Sequence, residues 1–140
     1  MKRMFSIEEP DNSILCCDFT KTGGHFVTAG KDCNLRIYDE GNSKLNLETK
    51  SITTQLGKAE WNYPGHANRI FSVKFIDDNT IISGGWDSVV HIWDLRMSKS
   101  VNYIQGLHVA GDSIDVKENQ IVVGCYSTKN QIQVWDWRKK

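Results

Sequence analysis

The sequence predicts an all-β protein made of three copies of one unit, each a set of short antiparallel strands. One observation is a period: His66 and His108, Trp93 and Trp135, and Asp94 and Asp136 are each 42 residues apart. Self-similarity at a few tens of residues signals stacked repeats. A second is an earlier copy, in which Thr28, Asp32 and Tyr38 each precede Ser83, Asp87 and Trp93 by 55 residues. A third is composition within each copy: short apolar runs rich in Val, Ile, Phe and Trp are closed by Gly, Asp, Asn or Ser, as in strands joined by hairpins. No segment sustains a helical period.

Taken in order, the first copy reads ILCCDF then HFVTAGKDCNLRIYD and predicts strands at Leu15–Phe19, His25–Ala29 and Leu35–Tyr38. The second begins at Gly65 and predicts Ile70–Phe75, Ile81–Ser83 and Val89–Trp93, with Ser100–Gln105 as an outer strand. The third gives Ser113–Val116, Ile121–Gly124 and Gln131–Trp135. The repeats span about 11–40, 65–105 and 106–138. The longer spacing between the first two copies falls in 41–63, a polar stretch read as an inter-repeat loop around one outer strand. Glu48–Thr54 and Lys58–Asn62 are the two alternatives for that strand.

At 140 residues the chain is long enough for one core. Hydrophobic residues at 39% and charged residues at 24% are those of a soluble globular protein. Seventeen basic and seventeen acidic residues cancel. Without a basic footprint to release counterions, a nucleic-acid or anionic-membrane partner is disfavoured. Cys16, Cys17, Cys33 and Cys125 lack zinc-knuckle spacing, so no metal is indicated and all four read as buried free thiols of a reducing compartment. Glu8, Glu9 and Pro10 interrupt the N-terminus before a signal-peptide core develops, and no stretch approaches the ~20 apolar residues of a membrane span. A cytoplasmic or nuclear protein is expected.

Gly65-His66, Trp93-Asp94 and Trp135-Asp136, with Tyr38-Asp39 as a degenerate version, are markers in register with the strands. Over nearly its whole length the chain resembles the WD-repeat family, of which the G-protein β subunit is the familiar member. The resemblance implies a β-propeller of four-stranded blades, strands a to d running outward from a central channel. It also implies a non-enzymatic scaffold that binds other proteins and needs no cofactor. In blade two, His66, Ser83, Asp87 and Trp93 stand where such repeats place a hydrogen-bonded structural tetrad. Loss of Asp87 should cost roughly 1–3 kcal/mol. Blade one lacks the His and carries Tyr38 for Trp; blade three has Val123 for Ser83 and two more residues in its b–c turn. Both are therefore expected to rely on apolar packing and on neighbouring blades.

The same residues admit other readings. Ser83, His66 and Asp87 also spell a hydrolytic triad, but Ser83 lies in no G-x-S-x-G elbow. Arg96 and Arg138 stand two residues after Asp94 and Asp136, resembling the box by which WD-repeat substrate receptors of cullin-based ubiquitin ligases meet their adaptor; a solvated rim charge is the plainer reading. Asn68, Arg69, Trp86 and Tyr126 fall on a channel rim and are candidate partner-binding residues, Trp86 first; alternatively Trp86 packs across to the next blade. His25, His91 and His108 lack companions at ligand spacing. Three blades do not close a ring, and Met4–Ile7 is a candidate outer strand. The chain is thus expected either to belong to a longer propeller with further blades in cis, or to pair with a second copy as half of a six-bladed homodimer.

Overall fold

Antiparallel pairing of short β-branched runs gives three sheets in the computed structural model, which describes residues 6–39, 49–52, 65–97 and 99–138. Blade one comprises β1 (Ile14–Phe19), β2 (His25–Gly30), β3 (Leu35–Asp39) and β4 (Thr49–Ile52), hydrogen-bonded in chain order. Blade two repeats the order with β5 (Ile70–Asp77), β6 (Thr80–Gly85), β7 (Val89–Asp94) and β8 (Lys99–Gln105). Blade three has β9 (Ile114–Lys117), β10 (Gln120–Gly124) and β11 (Ile132–Asp136), three strands where the others have four. The outermost strand of blade one is β4, paired along β3 from Leu35↔Ile52 to Tyr38↔Thr49. Lys58–Asn62 lies outside the described residues, as do Met4 and Phe5 of Met4–Ile7, whose Ser6 and Ile7 form no strand.

Side chains alternate across a strand, and blade two uses both faces. Val73, Phe75, Ile81 and Trp93 pack with Cys16, Val27, Ala29, Leu35 and Ile37 of blade one. Ile76, Ile82, Val90 and Ile92 pack with Ile114, Ile121 and Val123 of blade three. That double burial explains why Val89–Trp93 is buried without interruption, since full burial of each such side chain stabilises by about 1.5–3 kcal/mol. The outward faces of blades one and three have no such cover among the described residues: Phe19 is 61% and Ile132 75% exposed. Cys17 is exposed there and Cys33 half-buried, which corrects the expectation of four buried thiols; all four are free.

Polar bonds join the inner strands. Phe75 N–H donates to Asp18 Oδ2 at 2.8 Å, and Ser72 Oγ donates to Asp112 Oδ1 at 2.8 Å while accepting from Ile114 N–H at 3.3 Å. β1 and β5 each begin with a register shift, opposite Gly30 and Gly85. A Cβ at Gly30 would collide with the Ser13 carbonyl and one at Gly85 with the Arg69 carbonyl, so this close backbone approach requires glycine.

Candidate functional site

The b–c turn of blade two sets the site. Asp87 Oδ1 accepts the Val89 N–H two residues on, at 3.2 Å, an Asx turn that places Ser88 in the left-handed region at φ 63°. Asp32 does the same in blade one with Asn34 N–H at 3.2 Å, and Cys33 has φ 65°. The second oxygen of Asp87 then faces the loop leading into β5. It accepts from His66 Nδ1–H at 2.7 Å and from Ala67 N–H at 3.0 Å.

From His66 the network runs inward. His66 Nε2 lies 2.8 Å from Ser83 Oγ, which accepts from the Trp93 indole N–H at 2.8 Å. With Nδ1–H given to Asp87, Nε2 is the acceptor and the Ser83 hydroxyl donates to it, so every group is satisfied once. His66, Ser83 and Trp93 are buried. Burial works against ionisation of Asp87, but the hydrogen bond and electrostatic attraction of His66 and the two backbone N–H groups hold its pKa below the ordinary carboxylate value.

His91 also reaches this cluster, through alternation along β7, although it has no companion at ligand spacing in the sequence. Its ring meets His66 edge-on at 4.7 Å and Trp93 at 5.1 Å, and its Nδ1 lies 2.9 Å from Ser100 Oγ. Burial, with His66 nearby, pushes its pKa down to about 4, so it is neutral. Ligand atoms of His66, Asp87 and His91 lie within 4.8 Å of one another. Both nitrogens of His66 are already engaged, one towards Asp87 and one towards Ser83, so the donor set is arranged for hydrogen bonding. Of the other histidines, His25 Nε2 lies 3.9 Å from Asp39 Oδ2 and His108 Nδ1 lies 3.1 Å from Ser88 Oγ.

Blade one adds a polar network to the apolar packing and neighbouring-blade support expected of it. Glu9, from the loop leading into β1, accepts from Thr28 Oγ1 at 2.6 Å and Tyr38 OH at 2.7 Å through one oxygen. Its other oxygen accepts from Asn12 Nδ2 at 2.8 Å and Arg36 at 2.9 Å. Arg36 also pairs with Asp32 at 2.5 Å. Thr28, Asp32 and Tyr38 occupy the repeat positions of Ser83, Asp87 and Trp93, and a carboxylate replaces the missing imidazole. Burial opposes its charge, but these donors and the Arg36 cation lower the Glu9 pKa, while burial and Glu9 push Tyr38 up to about 12. Only the gap left by the absent histidine hinted at this in the sequence.

The rim candidates lie beside these networks. Trp86, next to Asp87, is 42% exposed, with Phe71 at 5.2 Å between ring centroids and the Arg69 guanidinium 5.6 Å from its own. It also packs on His108 of blade three at 6.3 Å, so exposure and cross-blade packing coexist. Tyr126 is 79% exposed and meets His108 at 6.2 Å. Asn68 Oδ1 accepts the Arg69 N–H at 2.8 Å. Arg96 is exposed but its guanidinium grips Asp94, Nε at 3.0 Å and an Nη at 2.6 Å, whereas Arg138 N–H donates to Asp136 Oδ1 at 3.1 Å. The Ser-His-Asp constellation is shut: Ser83 is fully buried and its Oγ accepts from Trp93.

The family profile described as WD domain, G-beta repeat matches residues 1–39 and 57–94, more than half of the chain. The chain belongs to the WD-repeat family. The matched segments cover the first and second repeats, where Asx turns and networks recur; the third keeps its place through strand pairing and the core shared with blade two. Among WD-repeat relatives, the chain is 30% identical to the "Ribosome biogenesis protein WDR12 homolog" of Drosophila mojavensis, over 81% of this chain and 27% of that protein. It is 25% identical to the "WD repeat-containing protein RUP2" of Arabidopsis thaliana, over 91% of this chain and 32% of that protein. Identity to the "Anaphase-promoting complex subunit cdc20" of Dictyostelium discoideum is 21%, over 69% and 25%. The chain thus spans about a quarter to a third of the length of these WD-repeat relatives. Among the described residues no helix is long and apolar enough to cross a membrane.

Proposed function

We propose that this WD-repeat chain is a rigid, non-catalytic scaffold on which other proteins assemble, and that partners dock around Trp86, with Asn68, Arg69 and Tyr126. Trp86 carries the proposal. Its turn is locked from beneath by the Asp87 network, yet its large ring faces solvent, the combination expected of an anchoring residue. Two relatives, a subunit of a complex and a ribosome biogenesis protein by name, support work among multiple components. Burial of Ser83 removes the room a substrate would need at its hydroxyl. Free cysteines suit a cytoplasmic or nuclear setting.

The same proposal includes cover for the exposed flanks of blades one and three, by further blades in cis or by a second copy closing a six-bladed ring. The mass of residues 1–140 in solution separates these, a well-folded monomer eliminating the ring. The ligase-receptor reading draws no support from Arg96, whose cation is already matched by Asp94; Arg96→Ala with Arg138→Ala is expected to leave adaptor capture unchanged. The scaffold itself is tested by quantitative affinity capture of the full-length protein from its own cells. Trp86→Ser with Tyr126→Ser should lose a defined subset of companions. Recovery of the same set with the variant, or of nothing above background with either, overturns the proposal.

A further inference from the structure

We infer that the aromatic row crossing the seam between blades two and three docks an acidic linear segment of a partner protein, one carrying Asp or Glu within a few residues of a large apolar side chain. This rests on the scaffold reading and adds what docks.

The row alternates between turn and leading loop. Phe71 backs Trp86, Trp86 lies nearly parallel to His108 at an interplanar angle of 18°, and His108 meets Tyr126. Its spacing is held by backbone and side-chain bonds. Trp86 N–H donates to the Arg69 carbonyl at 3.1 Å and Tyr126 N–H to the His108 carbonyl at 2.8 Å, while His108 Nδ1 meets Ser88 Oγ. Rings fixed in this way lose little freedom when covered, which favours them as contact surface.

Charge selects the occupant. Among the described residues no carboxylate lies within ion-pair distance of Arg69 or of Lys129, the cation on the Tyr126 turn. The acids of the adjoining turns and loops are taken internally: Asp87 by His66, Asp112 by Ser72 and Lys74, and Asp32 by Arg36. The unmatched charge beside the row is therefore positive. A cationic segment would meet a guanidinium already seated on Trp86. A carboxylate instead gains a charge-assisted bond to Arg69 while its apolar neighbour covers the rings.

The test pans a phage-displayed random dodecapeptide library against the immobilised full-length protein and its Arg69→Glu and Trp86→Ser/Tyr126→Ser variants. Each variant is first checked for an unchanged Trp93 indole resonance. Peptides enriched by the native protein should carry an acid beside an aromatic or Leu, bind more tightly at lower salt, and lose about tenfold or more in affinity to Arg69→Glu. Panning on Arg69→Glu should turn the preference basic. Enrichment without acidic bias, affinity unmoved by Arg69→Glu, binding independent of Trp86 and Tyr126, or no enrichment at all overturns the inference. Affinity that falls with the double Ser variant but not with Arg69→Glu overturns only the acidic partner and leaves the scaffold standing.

Discussion

Replacing Asp87 by alanine strips three N–H donors of their acceptor: His66 Nδ1–H, Ala67 N–H and Val89 N–H. Ala67 is exposed, so water takes over there, but His66 and Val89 are buried. At about 1–3 kcal/mol for each of these two buried donors left unsatisfied, the loss is about 2–6 kcal/mol, a large part of the ~5–15 kcal/mol that holds a typical domain. A tautomer change in His66 does not rescue the network, because Nε2–H would then leave the Ser83 hydroxyl without its acceptor. Asp87→Asn keeps a neutral acceptor in place and should lose only about 1–2 kcal/mol. Two measurements check this: the urea unfolding midpoint, and hydrogen exchange at the Trp93 indole N–H, which is fully buried at the far end of the chain of bonds. A 3 kcal/mol loss that opens blade two locally should speed that exchange by roughly a hundredfold. An alanine variant within about 0.5 kcal/mol of the native protein, its Trp93 N–H equally protected, would refute the reasoning.

Glu9→Ala should destabilise by about 2–4 kcal/mol, because Thr28, Tyr38, Asn12 and Arg36 all lose their acceptor, whereas Lys21→Ala on the exposed surface should change the midpoint by less than about 0.5 kcal/mol. Gly85→Ala should cost about 2–4 kcal/mol, since the obstacle is the Arg69 backbone, which cannot swing aside; Gly23→Ala meets open space and should cost about 1 kcal/mol for its φ of +81° alone. Acid should weaken the fold in two stages. His91 has its folded pKa lowered from 6.5 to about 4, so the unfolded chain binds the proton first and stability falls as pH drops through that window, by about 3 kcal/mol at the limit. Asp87 and Glu9 have lowered pKa values, so their contribution is complete above the ordinary carboxylate range and is lost as pH falls through their folded values. A His91→Leu variant should lack the upper stage in an unfolding series from pH 7 to 4, and an unchanged slope would sink that assignment.

Strands b and c were legible to within a residue or two, since apolar runs ending in Gly and Asp state both the pairing and the turn. His66, Ser83, Asp87 and Trp93 were expected from the resemblance to WD repeats rather than from the internal period, since neither of the other two blades carries the full set. What spacing could not reveal was substitution from outside the repeat. Glu9 lies 19 residues from Thr28 and 29 from Tyr38, in a polar segment with no period, and only folding of the leading loop brings them together. His91 joined His66 because strand alternation turned it inward beside Trp93. The outer strand of blade one stayed ambiguous because its pairing is set by the open edge of β3 rather than by a strong hydrophobic run of its own. The row from Trp86 to Tyr126 was half legible. Its exposed ends belong to turns, but His108 between them is placed by packing of one blade on the next.

The buried network and the exposed row are one device. Asp87 is bonded to the leading loop, to its own turn and, through His66 and Ser83, to strand c, so the leading loop, strand b, the turn and strand c of blade two share one set of bonds. Trp86 immediately precedes Asp87, and Arg69 follows His66 by three residues. A serine that accepts from an indole deep in the sheet is tied at both its lone-pair and its hydroxyl side, and chemistry there would first require dismantling the bonds that shape the turn. Left intact, those bonds hold the outward ring of Trp86 and the guanidinium above it in register with blade three. The residues that superficially spell a hydrolase thus keep their neighbours still, and on the proposed scaffold reading the surface chemistry of Trp86 and Arg69 sets what docks there.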